Sequence, residues 1–322
     1  MLELEFTARD LARTRFAFSP LWEVVAAVRV LKGDGHAVHQ PWADQVAPRL
    51  DRLDWRLLGD LVPVPTRRIP GFVAPPPTTP LPDLDTELAV LRATPHDELR
   101  RELDIVTEVR TVHTAVLHDD PGAGLAQLCA VIEEFWSLAL EPFWPRIRTL
   151  VEGDVLHRAR RLAAGGAAAL FADLDPNVTW ADERLRVAHR NLSDRRGLSG
   201  RGLLLVPSVF VWPRVFSITS PGWQPTLRYP PRGIATLWEH RPVAAPAALA
   251  AVLGATRATL LSELDSPVST TDLARRTDLS VSGVSQHLTA LRAAGLVAGH
   301  RTGRYVLYAR TEVGEALLTA SR

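Results

Sequence analysis

Lysine is almost missing from this chain. Lys32 is the one lysine among 322 residues, so 36 of the 37 basic side chains are arginine. Arginine bias with abundant Ala, Gly and Pro fits a GC-rich bacterial coding sequence and says nothing of mechanism. Cysteine is as scarce: Cys129 stands alone. No intrachain disulfide can form, and a reducing cytoplasm is the expected setting. No stretch of about 18 uncharged apolar residues occurs, so no membrane span is expected. The opening M-L-E-L-E-F-T-A-R-D lacks the basic-then-apolar pattern of a signal peptide. A charge excess is absent too: the net charge is +1, with 29 basic and 30 acidic residues over 1–242 and eight and six over 243–322. That excludes a basic tail or an acidic solubilising domain.

Catalytic motifs are also wanting. Around Ser199 the sequence reads G-L-S-G-R, which misses the second glycine of a nucleophile elbow. No dinucleotide-binding or phosphate-cradling glycine pattern appears. Glu133 and Glu134 are adjacent on a helix and point in different directions, unlike a catalytic pair. His36-x-x-His39 and His113/His118 lack a third ligand at zinc spacing. The expectation is therefore no enzyme, no metal and no cofactor.

What is present begins with a hydrophobic fraction of 46%, ample for two cores in a chain of this length. Leu2, Leu4 and Phe6 alternate with Glu3 and Glu5 as in a strand. Ser19-Pro20 starts a helix that carries Trp22, Val25 and Val28 and stops at Gly33-Asp34-Gly35. Residues 62–82 are proline-rich and read as an extended segment laid over helices. From Leu84 the pattern is helical: Thr94-Pro95 opens a helix towards His113, and others follow over 123–140, 145–164 and 166–174. Over 178–240 the period switches to two. Strands are expected at 178–180, 185–189, 203–212, 215–219, 226–229 and 234–238, with Pro207 marking an edge or a bulge. Trp22, Trp136, Trp144, Phe210, Trp212 and Trp238 all fall in this N-terminal block. They are candidates to line a site for an apolar or aromatic small molecule.

The stretch from Ser269 to Arg310 is the most informative. Ser269 caps a first helix, with Asp272 three residues on. A second runs from Ser280 to Ala294, and Gly295 stops it. Val281, Val284, Leu288 and Leu291 share one face and should pack inward. Ser282, Ser285, Gln286 and Thr289 point the other way, with Arg292 at their edge. Short, uncharged, hydrogen-bonding side chains on an outer face suit a helix that approaches base edges in a DNA major groove. Strands at 297–301 and 304–310 form a hairpin about Thr302-Gly303, with His300, Arg301 and Arg304 at its tip. Residues 267–310 hold six arginines against two aspartates.

The runs L-G-A-T-R-A-T-L-L, T-T-D-L-A-R-R-T-D-L-S, S-Q-H-L-T-A-L-R-A-A-G-L-V and R-T-G-R-Y-V-L-Y resemble the ArsR/SmtB family of winged-helix transcriptional regulators, over about residues 247–320. F-S-P-L-W-E, I-P-G-F-V-A-P-P-P, P-S-V-F-V-W-P and Y-P-P-R-G-I-A-T-L-W resemble the long upstream region of some actinobacterial regulators of that type. The family's thiolate sites have no counterpart here, since T-D-L-A-R-R-T holds no cysteine. The resemblance implies a homodimeric repressor that binds double-stranded DNA. Thr270, Ser282, Ser285, Gln286, His287, Thr289, Arg292, Arg301 and Arg304 are the candidate DNA-contacting residues. The expected fold is α+β: a mixed helical and β effector domain over 1–242, helical to about 174 and strand-rich over 178–240, then a winged helix-turn-helix domain over 243–322. Two alternatives stay open: a docking and dimerisation module without DNA binding, and a fused small-molecule enzyme.

Overall fold

The computed structural model describes residues 1–34, 37–188, 194–220, 222–238, 246–264, 267–302 and 305–320. It has the expected mixture of helices and sheets, with an N-terminal domain and a C-terminal segment that holds five helices and a three-stranded sheet among the described residues. Contacts divide the chain into two compact units. One comprises Met1–Trp144 and Arg158–Pro231; the other comprises Pro145–His157 and Arg232–Arg322. The expected division into 1–242 and 243–322 was contiguous, whereas the observed one interleaves. Residues 145–157 count with the C-terminal unit because they pack on it, as described below.

In the first unit the chain order is β1 (Leu2–Glu5), α1 (Ala8–Arg13), β2 (Arg15–Phe16), α2 (Pro20–Arg29), α3 (Gln40–Leu50) and α4 (Arg56–Asp60). Then come α5 (Leu84–Arg92), α6 (His96–Ile105), α7 (Ala115–Asp119), α8 (Pro121–Ala139) and α9 (Trp144–Phe171). The strands β3 (Val178–Ala181), β4 (Arg184–Val187), β5 (Asp194–Gly197), β6 (Leu204–Pro207), β7 (Phe216–Ile218) and β8 (Thr226–Tyr229) complete it. One sheet has the order β3-β4-β1-β5, the other β2-β6-β8-β7.

The N-terminal alternation explains the place of β1. Leu2 and Leu4 are wholly buried. Glu3 and Glu5, on the other face, stand in register with Arg186 and Arg184 and bond to each at 3.2 Å. Opposite charges directly across an antiparallel pair favour this register. Phe6, Phe171, Leu185, Leu205, Leu227 and Tyr229 fill the core beside Leu2 and Leu4.

Helix α2 is buried on every side, from Pro20 to Arg29. A helix apolar all round belongs in the middle of a fold, and its first turn is fastened at both ends. Ser19 accepts from the Trp22 N–H, as Ser19-Pro20 implied, and donates to Glu87 at 2.7 Å. Lys32, the lone lysine, donates to the Gly59 and Val62 carbonyls at the C-terminal end of α4, at 2.6 and 2.7 Å.

Several local expectations change. The apolar run 203–212 forms a strand only over Leu204–Pro207, although Val209, Phe210 and Val211 are fully buried. The N–H groups of Val209 and Phe210 donate to the carboxylate of Glu23, so they are lost to the ladder. Pro207 sits on an inner strand, not an edge, but at its last residue, where its missing N–H is not needed. Ile234–Thr236 is a 3-10 turn rather than a strand, entered through Gly233 at φ +79°. Helix α6 ends at Ile105, short of His113. The helical stretches expected at 145–164 and 166–174 are one element, α9, broken at Gly165 and Gly166, where φ is −146° and +63°.

The second unit adds α10 (Ala247–Leu253), α11 (Ala255–Ser262), β9 (Val268–Ser269), α12 (Thr270–Thr277), α13 (Val281–Ala293), β10 (Val297–Thr302), β11 (Tyr305–Arg310) and α14 (Glu312–Ala320). Its sheet runs β10-β11-β9, and Leu260, Leu261, Leu273, Val284, Leu288, Leu291 and Leu318 form its core.

Candidate nucleic-acid interface

Helices α12 and α13 are joined by Asp278–Ser280, the short turn of a helix-turn-helix. Ser269 caps α12: its hydroxyl accepts from the Asp272 N–H at 3.1 Å and donates to the Asp272 carboxylate at 2.7 Å. Asp278 ends that helix in the left-handed conformation, at φ +55°. Ser280 then caps α13 by accepting from the Gly283 N–H at 3.1 Å. The caps satisfy donors that each helix start would otherwise leave open.

The apolar seam of α13 is Val284, Leu288 and Leu291, all buried. Val281, expected inward with them, is 50% exposed, because it begins the helix ahead of the seam. Anchored by that seam, α13 presents Ser282, Ser285, Gln286, Thr289 and Arg292 to solvent, with His287 half-buried. Thr289 donates its hydroxyl to the Ser285 carbonyl at 2.9 Å, which leaves its oxygen lone pairs outward. Thr270, at the start of α12, is half-buried. In the hairpin, Arg301 stands opposite Val306 and His300 opposite Leu307; His300 and Arg301 are exposed. Gly303 and Arg304 lie outside the described residues, as does His36 of the histidine pair.

The aromatic candidates fall into separate contacts. Trp22 meets Phe216 at 5.4 Å between ring centroids, Phe210 meets Trp42 at 4.4 Å and His39 at 5.2 Å, and Trp136 meets Trp144 at 5.0 Å. Trp212 is half-buried in the first unit, and Trp238 belongs to the second. Around Trp22 the structure adds residues that periodicity gave no reason to single out. The Arg228 guanidinium lies 3.9 Å over the Trp22 ring, and that of Arg29 lies 4.4 Å over Phe216. Trp22 Nε1, Arg228 Nε and Arg29 Nη1 are buried donors with no protein acceptor. Burial pulls the Arg228 pKa down to about 9, and Glu87 opposes that shift.

Other titratable groups are occupied locally. His113 Nδ1 lies 2.7 Å from Asp60, and Glu133 pairs with Arg92. Burial raises the Cys129 thiol to about 11, too high for a reactive thiolate at neutral pH. Among the described residues no three His, Cys, Asp or Glu side chains gather to hold a metal ion. Among them, too, no single helix is long and apolar enough to cross a membrane.

Comparison with known families meets this geometry at its centre. Residues 238–300 match the model of a helix-turn-helix domain. The C-terminal segment is a helix-turn-helix domain. Within it α13 is the second helix, and the match suggests a DNA-binding transcription regulator. Residues 99–234 match a family of unknown function (DUF5937), which covers most of α6, helices α7–α9 and strands β3–β8 of the N-terminal domain. No curated protein and no solved structure matches the chain.

Proposed function

We propose that this protein is a transcriptional repressor that reads an inverted-repeat operator as a homodimer and is modulated by a small molecule bound to its N-terminal domain. The observation that carries the reading is the outer face of α13, exposed, polar and uncharged apart from Arg292, on a helix fixed by a buried apolar seam. Ser282, Ser285, Gln286, His287 and Thr289 are its base-facing set. Thr270, Arg292, Arg301 and Arg304 contact phosphates. A symmetric dimer sets two such helices about 34 Å apart, one turn of the duplex. Its place of work is the cytoplasm, where bacterial DNA is.

The effector site centres on Trp22. In this reading an aromatic effector is recognised by Trp22 and Phe216, and the buried Arg228, Arg29 and indole donors favour one that also carries an acceptor such as a carboxylate. A panel of aromatic carboxylic acids should quench or shift tryptophan emission in the wild type and less so in Trp22→Phe. Emission indifferent to the whole panel contradicts this part of the reading.

The division of labour on DNA is tested with an operator selected from a random pool. Gln286→Ala should lose about 1–3 kcal/mol of discrimination at one base pair. Arg301→Ala should weaken binding to operator and random DNA alike and flatten the salt dependence by about 0.9 in log–log slope. Identical effects of the two substitutions on both DNAs would contradict the assignment.

A further inference from the structure

The C-terminal unit is built partly from chain that lies far upstream of the helix-turn-helix match. Residues 145–157 of α9 belong to it. Gly153 brings the helix close to the start of β9: a Cβ added there would stand 3.1 Å from Pro267 Cδ. One turn earlier, the buried Thr149 donates its hydroxyl to Asp272 at 2.9 Å. Asp272 also accepts from Ser269 and pairs with Arg275 at 2.6 Å, so its carboxylate is fully engaged.

Arg146 lies three residues before Thr149, on the same face of the helix. It is half-buried beside the arginines of α12. Burial, then the charges of Arg276 and Arg275, pull its pKa down to about 10, with Asp272 pulling the other way. It therefore stays charged at neutral pH. The Thr149 bond to Asp272 and the Arg275–Asp272 pair set this face of α9 against α12, and positive charge concentrated there gains when a polyanion approaches. The place is apt. In a helix-turn-helix the first helix crosses the DNA backbone while the second enters the major groove, and α12 is that first helix.

We propose that Arg146 joins Arg275 and Arg276 in one phosphate-contacting cluster, so that part of the grip on the DNA backbone comes from the N-terminal family segment. The inference rests on the reading of α13 as the DNA-reading helix. It gives α9 a direct part in binding: a shift of that helix removes a phosphate contact without disturbing a base contact.

The test is DNA-binding anisotropy of the full chain against salt, for wild type, Arg146→Met, Arg146→Lys and Arg160→Met. Methionine keeps much of the apolar stem without the charge. Arg160 is an exposed arginine of the same helix and serves as the control. Arg146→Met should bind operator and random DNA several-fold more weakly, with a salt slope shallower by about 0.9. Arg146→Lys and Arg160→Met should keep the wild-type slope. A wild-type slope in Arg146→Met overturns the inference and leaves the DNA-reading assignment standing. A slope lost in Arg146→Lys as well marks packing rather than charge and also overturns it. A wild type that binds no DNA at low salt overturns both.

Discussion

Glu23 shows how much a single buried side chain organises. Its carboxylate accepts from Val209 N at 2.8 Å, Ser208 Oγ at 3.1 Å and Phe210 N at 3.3 Å. Burial nonetheless outweighs those bonds and raises its pKa to about 7 from 4.5, and Glu87 is raised to about 7 in the same way. The unfolded chain ionises first as pH rises. Stability from such a group is therefore complete below pH 4.5, declines as pH climbs towards 7, and is level above it. For Glu23 alone the decline from pH 5 to pH 8 is about 2 kcal/mol. Glu23→Gln should lessen the wild type's loss of stability over that window by about this amount, measured by denaturant unfolding at both pH values. An equal decline in both proteins would show that Glu23 ionises in the folded state as it does in the unfolded one.

At the scale of elements, the sequence was most legible where period and caps agree. Ser269 and Ser280 cap the helices they were expected to cap, and Val284, Leu288 and Leu291 are buried as their spacing implied. The strand β1 was equally plain from its alternation. Strand β5 was not, because D-R-R-G has no apolar period; it is a strand by virtue of pairing with β1, where Arg195 meets Glu5. The run 203–212 misled for the opposite reason. Its hydrophobicity says buried, and only the remote Glu23 carboxylate decides that half of it leaves the ladder. The part that 145–157 plays beside α12 left no local signal either, since Thr149 and Gly153 are ordinary helix residues until Asp272 and Pro267 face them. Close approach also makes Gly314 decisive for α14. Alanine gains about 1 kcal/mol over glycine in a helix interior, but a Cβ here would stand 2.2 Å from the Leu296 carbonyl oxygen, a backbone atom that cannot step aside. Gly314→Ala should thus lower stability by about 1–3 kcal/mol despite its better propensity. A raised melting temperature would contradict that packing.

For the whole molecule, the interleaving of units matters more than the number of domains. Helix α9 contributes Pro145–His157 to the C-terminal unit and the rest of its length to the N-terminal one. A fragment that starts at residue 246 lacks the Thr149 bond to Asp272 and the Gly153 contact with Pro267. Amides of α12 should exchange faster in that fragment than in the full chain, and equal protection would show that 145–157 adds nothing to the fold of the DNA reader. The central claim is that the exposed face of α13 reads a specific DNA sequence. Its most direct test is fluorescence anisotropy of the full chain on the DNA upstream of its own gene and on a shuffled duplex, titrated with salt. The account predicts tighter binding to the upstream DNA, by at least about a thousandfold, with both affinities falling as salt rises. Absence of binding to either duplex at low salt would contradict it.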